Sequence, residues 1–137
     1  MMNRTQNYNL CQWEAADKIQ RTDFNADNAK LDAALGEKIR LVTGSYRGTD
    51  KYGPSNPNIL EFPDAERPPR VVMLSNEGGE HQVVLIRGIT RCFILKVLDK
   101  RHIIEITWTD KGVRWYCAEG SSAQFNSNLM YYYAVFI

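Results

Sequence analysis

The run HIIEITWTDKGVRWYC, residues 102–117, decides how this chain folds. Ile104, Ile106 and Trp108 alternate with Ile103, Glu105 and Thr107. Successive side chains of a pleated strand point to opposite faces, so this alternation is the mark of a β-strand. Asp110-Lys-Gly112 interrupts it, and Val113, Trp115 and Cys117 then alternate with Arg114 and Tyr116. Two alternating runs joined by a short glycine-containing turn predict an antiparallel hairpin.

The same grammar extends outward. Strands are expected over residues 40–47, 58–62, 70–75, 81–87, 89–98 and 130–137. The breaks between them are rich in turn formers. They are the Gly, Pro, Asn and Ser segment 49–57, the segment 63–69, Asn76-Glu-Gly-Gly-Glu80, Gly88 and Asp99-Lys-Arg101. Ala123 to Phe125 reads as a short additional strand. The closing run, residues 130–137, is apolar or aromatic on both faces and is expected to be covered on both sides. Trp108, Trp115 and Tyr132 are assigned to the core, and Tyr116, Tyr131 and Tyr133 to the outside. About eight short strands with regular turns predict an antiparallel β-sandwich.

Before residue 40 the periodicity is helical. Leu10 to Arg21 reads as a first short helix, capped by Asn9 and carrying an Asp17–Arg21 surface pair. A second helix is expected from an N-cap at Thr22 or Asp23 to Ile39, weakened at Gly36. Phe24, Asn28, Leu31 and Leu35 are spaced four, three, four, which is the seam of a coiled coil. Two heptads are too short to be stable alone, so the stripe needs a partner. The chain therefore divides into a lead with oligomerisation helices, residues 1–39, and a β-sandwich, residues 40–137.

Composition narrows the classes of function. In 137 residues there are 17 basic and 16 acidic side chains, with no basic run, which gives no reason to expect nucleic acid. No apolar run is long enough to span a membrane, and the polar start MMNRTQNYNL is unlike a signal peptide. Synthesis in the cytosol is expected. Cys11, Cys92 and Cys117 make an odd set without CxxC spacing, so neither a disulfide framework nor a zinc motif is expected. Cys92 and Cys117 sit in strand-like runs and read as small buried apolar groups.

No motif for catalysis, metal or cofactor emerges: there is no HExxH, no glycine-rich phosphate loop and no local nucleophile–base pair. Candidate binding residues come from topology instead. If each strand crosses its sheet, loops 49–57, 76–80 and 99–101 gather at the end away from residue 40. That end carries Tyr52, Glu77, His81, Arg101 and His102, the mix of flat apolar surface and polar groups that sugars require. Phe24, Asn28, Leu31, Leu35, Tyr116 and Tyr131 are the candidate oligomer contacts.

The chain also resembles a known group. Trp13-(x)3-Asp17 and Arg21-Thr-Asp-Phe-Asn-Ala-Asp-Asn-Ala-Lys-Leu-Asp-Ala-Ala-Leu35 resemble the short helix preceding the C-terminal β domain of tail-fibre proteins from phages and prophages of gut bacteria. The resemblance continues through Thr43-Gly-Ser-Tyr-Arg-Gly48, Tyr52-Gly-Pro-Ser-Asn-Pro-Asn58, Phe62-Pro63, Pro69-Arg-Val-Val72 and Tyr131-Tyr-Tyr-Ala-Val135. The expected architecture also looks like that of H-type lectins, which are trimeric sandwiches. The resemblance implies a homotrimeric receptor-binding module in the virion, contacting other tail-fibre proteins and a bacterial surface glycan. A structural virion or fibre-assembly protein without a ligand is the alternative. A polysaccharide depolymerase ranks below both.

Overall fold

The structure is a computed structural model that describes residues 3–96 and 100–137. The chain is mainly β and divides into two compact units, Met1–Ile39 and Arg40–Ile137.

The first unit holds a small antiparallel hairpin, β1 (Asn3–Arg4) and β2 (Cys11–Gln12), and one helix, α1 (Arg21–Gly36). The helix expected over residues 10–21 is therefore not formed, and residue 9 does not cap one. Local side chains compete with the helical hydrogen bonds. Thr5 Oγ1 accepts the Leu10 N–H at 3.0 Å, and Asn9 takes the left-handed backbone, φ +54°, that closes the hairpin. Asp17 accepts the Glu14 N–H at 2.9 Å in a turn instead of pairing with Arg21. The N-cap of α1 is Gln20, in extended backbone and without a side-chain cap, so Thr22 and Asp23 lie inside the first turn.

The helix turns its charged side to the hairpin. Asp27 accepts the Cys11 N–H at 2.7 Å, and Lys30 Nζ donates to the Asn9 carbonyl at 2.7 Å. The Phe24-Asn28-Leu31-Leu35 stripe is left in water: Phe24 is 57%, Leu31 39% and Leu35 59% exposed. No residue of the helix is buried.

The second unit is the antiparallel β-sandwich. Its strands are β3 (Leu41–Arg47), β4 (Asn58–Glu61), β5 (Val71–Asn76), β6 (Gln82–Ile86), β7 (Arg91–Lys96), β8 (Lys100–Trp108), β9 (Gly112–Cys117) and β10 (Met130–Phe136). One sheet has the order β3-β10-β5-β6, the other β4-β9-β8-β7. Alternate residues of each strand meet between the sheets. Val72, Leu74, Val83, Leu85 and Val135 face Ile104, Ile106, Val113, Trp115 and Cys117 in a continuous core. The run expected to reach residue 98 extends to Lys96, and residues 97–99 lie outside the described part.

Three assignments on the closing strand are reversed. Tyr131 stacks on Tyr46 in the core with ring centroids 5.3 Å apart, and Tyr133 points the same way. Tyr132 is the outward residue. A run apolar on both faces cannot set its own parity, and a one-residue slip exchanges the faces. Pairing decides it: Tyr131 lies opposite Tyr46 and Asn76, and Tyr133 opposite Gly44 and Leu74. A Cβ at Gly44 would sit 2.3 Å from the Tyr133 hydroxyl oxygen, so only glycine admits that ring. Tyr131 therefore cannot be a subunit contact. Trp108 lies at the margin of the core, half-buried, with its indole N–H donating to the Ile89 carbonyl at 3.0 Å.

Ala123–Phe125 is a compact turn, not a strand. The N–H groups of Gln124, Phe125 and Asn126 bond back to the Gly120, Ser122 and Ser121 carbonyls. Phe125 sits in left-handed backbone, φ +61°.

Candidate functional site

Antiparallel pairing sorts the loops of the sandwich to two ends. At the near end residue 40 begins, and Arg40 and Ile137 exchange both backbone hydrogen bonds at 2.9 Å. Loop 49–57, turn 77–81 and loop 118–129 lie at the far end, since Arg47 pairs with Met130, and Asn58 with Trp115. Turn 99–101 falls partly outside the described residues.

Loop 49–57 is held by buried carboxamides. Gln124, with 0% of its surface exposed, accepts the N–H groups of Gly53 at 2.9 Å and Cys117 at 3.0 Å. Its amide donates to the Asn56 carbonyl at 2.7 Å and to Asn58 Oδ1 at 3.0 Å. Asn126 accepts the Thr49 N–H at 3.1 Å and donates to Thr49 Oγ1 and the Lys51 carbonyl, at 2.9 and 2.7 Å. Asn58 donates to the Gln124 and Phe125 carbonyls at 3.3 and 3.1 Å. Trp115 Nε1 donates to the Gln124 carbonyl at 2.8 Å. Tyr46 donates from its hydroxyl to the Phe125 carbonyl at 2.7 Å, and burial pushes its pKa up, so it stays a neutral donor. Among the described residues no buried side-chain nitrogen or oxygen lacks a partner. A network satisfied in this way rigidifies what it holds. It also holds the backbone of Asp50 and Phe125, both at φ +61°, where side chains other than glycine are disfavoured.

Beside this loop an open cleft of about 320 Å³ runs along β3 and β4. Its lining includes Tyr46, Arg47, Thr49, Lys51, Asn56 and Trp115. It holds two cations and no carboxylate. Tyr52, half exposed, stands in the same loop, with its carbonyl accepting from Asn56 Nδ2 at 3.5 Å. Arg47 is steadied by a hydrogen bond from Nε to Asn128 Oδ1 at 3.0 Å.

The other candidates come from other elements. Glu77 and His81 lie at the β5–β6 turn; Glu77 is exposed, and His81 bonds through its backbone to Asn76. Arg101 and His102 are consecutive on β8 and point to opposite faces. Arg101 lies over the exposed ring of Phe93, 5.9 Å from its centroid. His102 turns inward and its Nδ1 meets Glu119 Oε2 at 3.0 Å. Among the described residues no hydrogen bond or ion pair joins any two of Tyr52, Glu77, His81, Arg101 and His102. The five expected residues thus come from three elements of the far end, loop 49–57, the β5–β6 turn and β8. Asn58, Gln124 and Asn126 are what the sequence reading missed. Single amides in expected strands or turns carry no local signal until the fold buries them.

A second, larger concavity of about 550 Å³ is shallow and apolar. It lies on the outer face of β3-β10-β5-β6, where Leu41, Met73, Val84, Ile86 and Tyr132 are exposed. Tyr116 is half-buried on the outer face of the opposite sheet. The three cysteines are free. Burial raises the Cys92 thiol pKa to about 11 and pushes that of Cys117 up as well. Among the described residues no helix is long and apolar enough to cross a membrane. No protein family, curated protein or solved structure matches the chain.

Proposed function

We propose that this chain is the receptor-binding module of a tail fibre. It attaches to a bacterial surface glycan through the far end of its sandwich, and it works as a homotrimer. One observation carries the reading: a loop pinned by buried carboxamides beside a polar cleft that holds Arg47 and Lys51 and no carboxylate. A loop already fixed loses little entropy when a ligand binds. The cleft chemistry favours a glycan bearing acidic groups, with Tyr52 as a stacking surface. Glu77, His81 and Arg101 do not line this cleft, so the proposed contact centres on loop 49–57 and β3.

The exposed helix stripe and the outer face of β3-β10-β5-β6 support association of copies. Three linked sites would raise the avidity of weak single contacts. A depolymerase ranks lower because cleavage of a glycosidic bond uses a pair of facing carboxylates, and the lining of this cleft holds none.

The test is binding of the assembled protein to an array of bacterial surface glycans, with Lys51→Ala, Arg47→Ala and Tyr52→Ala compared with the parent. Each substitution removes a contact worth about 1 kcal/mol, about fivefold per site. Attachment to cells should fall further because the sites are linked. If the parent assembles but binds no glycan, the structural fibre-protein reading replaces this one. Release of reducing ends from purified polysaccharide would indicate an enzyme.

A further inference from the structure

The β8–β9 register places Ile104 opposite Cys117. Two residues further along both strands, His102 comes to stand across from Glu119. Alternation turns His102 and Cys117 to the same inner face. Residues 102, 117 and 119 have no metal-binding spacing in the sequence; the hairpin alone brings them together.

Their ligand atoms lie within 4.8 Å of one another. His102 Nδ1 is 3.0 Å from Glu119 Oε2, and Cys117 Sγ is 3.4 Å from the same oxygen. Around a tetrahedral zinc ion with bonds of about 2.0–2.3 Å, neighbouring ligand atoms stand roughly 3.3–3.8 Å apart. Two of the separations already match to within a few tenths of an ångström. Without a metal these contacts are two hydrogen bonds converging on one carboxylate oxygen, one from an imidazole and one from a thiol.

We propose that His102, Cys117 and Glu119 form a binding site for a borderline divalent transition metal, zinc or cobalt(II). One nitrogen, one sulfur and one carboxylate oxygen suit such ions and not calcium or magnesium, which take oxygen alone. Three protein ligands leave a fourth position for water or for an oxygen of a bound molecule. The ion reaches the site from the side of Glu119, which is about half exposed, past His102, whose side chain is 15% exposed. The Cys117 backbone is already fixed in place. The Cys117 N–H donates to Gln124 at 3.0 Å and its carbonyl accepts from Gly53 at 3.1 Å. The carboxamides that pin loop 49–57 therefore also hold the backbone of a metal ligand. Binding replaces the thiol proton with the metal, so one proton is released per ion at neutral pH.

The experiment is titration of the reduced full chain with cobalt(II), followed by displacement with zinc. The expected result is one ion per chain, a thiolate-to-cobalt charge-transfer band and the visible bands of a tetrahedral ion. Cys117→Ser should abolish the charge-transfer band. His102→Gln and Glu119→Gln, on the more exposed side, should fold and should weaken binding about tenfold or more. Cys11→Ser and Cys92→Ser should bind like the parent. Absence of the band in the parent overturns the site. So does a band that survives Cys117→Ser or is lost in Cys92→Ser, and so does unchanged affinity in both His102→Gln and Glu119→Gln.

Discussion

The two units of this chain handle apolar residues in opposite ways. The sandwich puts them inside: Val72, Leu85, Ile104, Trp115 and Val135 meet between two sheets and are essentially excluded from water. The helical unit puts them outside. Its α1 turns Asp27 and Lys30 to the hairpin and leaves Phe24, Leu31 and Leu35 exposed. Burial of apolar area is the main stabilising term in folding, at about 25 cal/mol per Å². The sandwich realises that term within one chain. The first unit is held by a few polar contacts and a sixteen-residue helix, which is marginal by itself. The contrast is between a unit that buries its apolar side chains within itself and one whose apolar stripe stays exposed, the feature on which the proposed association of copies rests.

The contrast can be broken from the side of the sandwich first. Trp115→Ala removes the largest fully buried side chain and is expected to cost about 3–5 kcal/mol. A denaturant titration followed by near-ultraviolet signal should show the loss. A change below about 1 kcal/mol would mean that the core is not where the packing places it.

Next in size is the carboxamide network. Gln124→Leu leaves the Gly53 and Cys117 N–H groups and the Asn56 carbonyl without their side-chain partners, at about 1–3 kcal/mol for each buried group that stays unpaired. Hydrogen exchange at residues 49–57 should quicken more than exchange in β5 and β6. Uniform quickening would show that the network stabilises the whole unit and does not selectively pin the loop.

The helical unit should respond in assembly and not in folding of the sandwich. Leu31→Ala with Leu35→Ala should lower the oligomer mass in sedimentation equilibrium toward that of one chain. The denaturant midpoint of the sandwich should move by less than about 0.5 kcal/mol, as for other exposed positions. A parent that is already monomeric at micromolar concentration would remove the proposed role of the stripe.

The smallest effect is electrostatic. The Cys11 N–H, foremost, holds the Asp27 carboxyl below the usual aspartate range. A carboxyl depressed in the folded state contributes stability that is present above its unfolded pKa and lost as pH falls through its folded one. The hairpin–helix contact should therefore weaken only below the ordinary aspartate range. Asp27→Asn should flatten that acid limb in a far-ultraviolet titration. Glu119, depressed chiefly by His102, predicts a parallel limb in the sandwich, which Glu119→Gln should remove.

The β-sandwich and most of its strands were legible because their information is local. Alternation in residues 102–117 requires a pleated hairpin whatever surrounds it, and turn formers mark the breaks. The helix carrying Phe24, Asn28, Leu31 and Leu35 was legible for the same reason, since four-three spacing puts them on one side of any helix. Tertiary structure alone decided the rest. In residues 130–137 both faces are apolar, so only pairing with Tyr46, Gly44 and Val72 could send Tyr131 inward and Tyr132 outward. In residues 10–21, side-chain bonds from Thr5 and Asp17 overrode the helical pattern. The candidate site was the least legible part. Gln124 meets Gly53, and His102 meets Glu119, across separations of 71 and 17 residues. Contacts of that kind follow from register and burial, and no local pattern of residues encodes either.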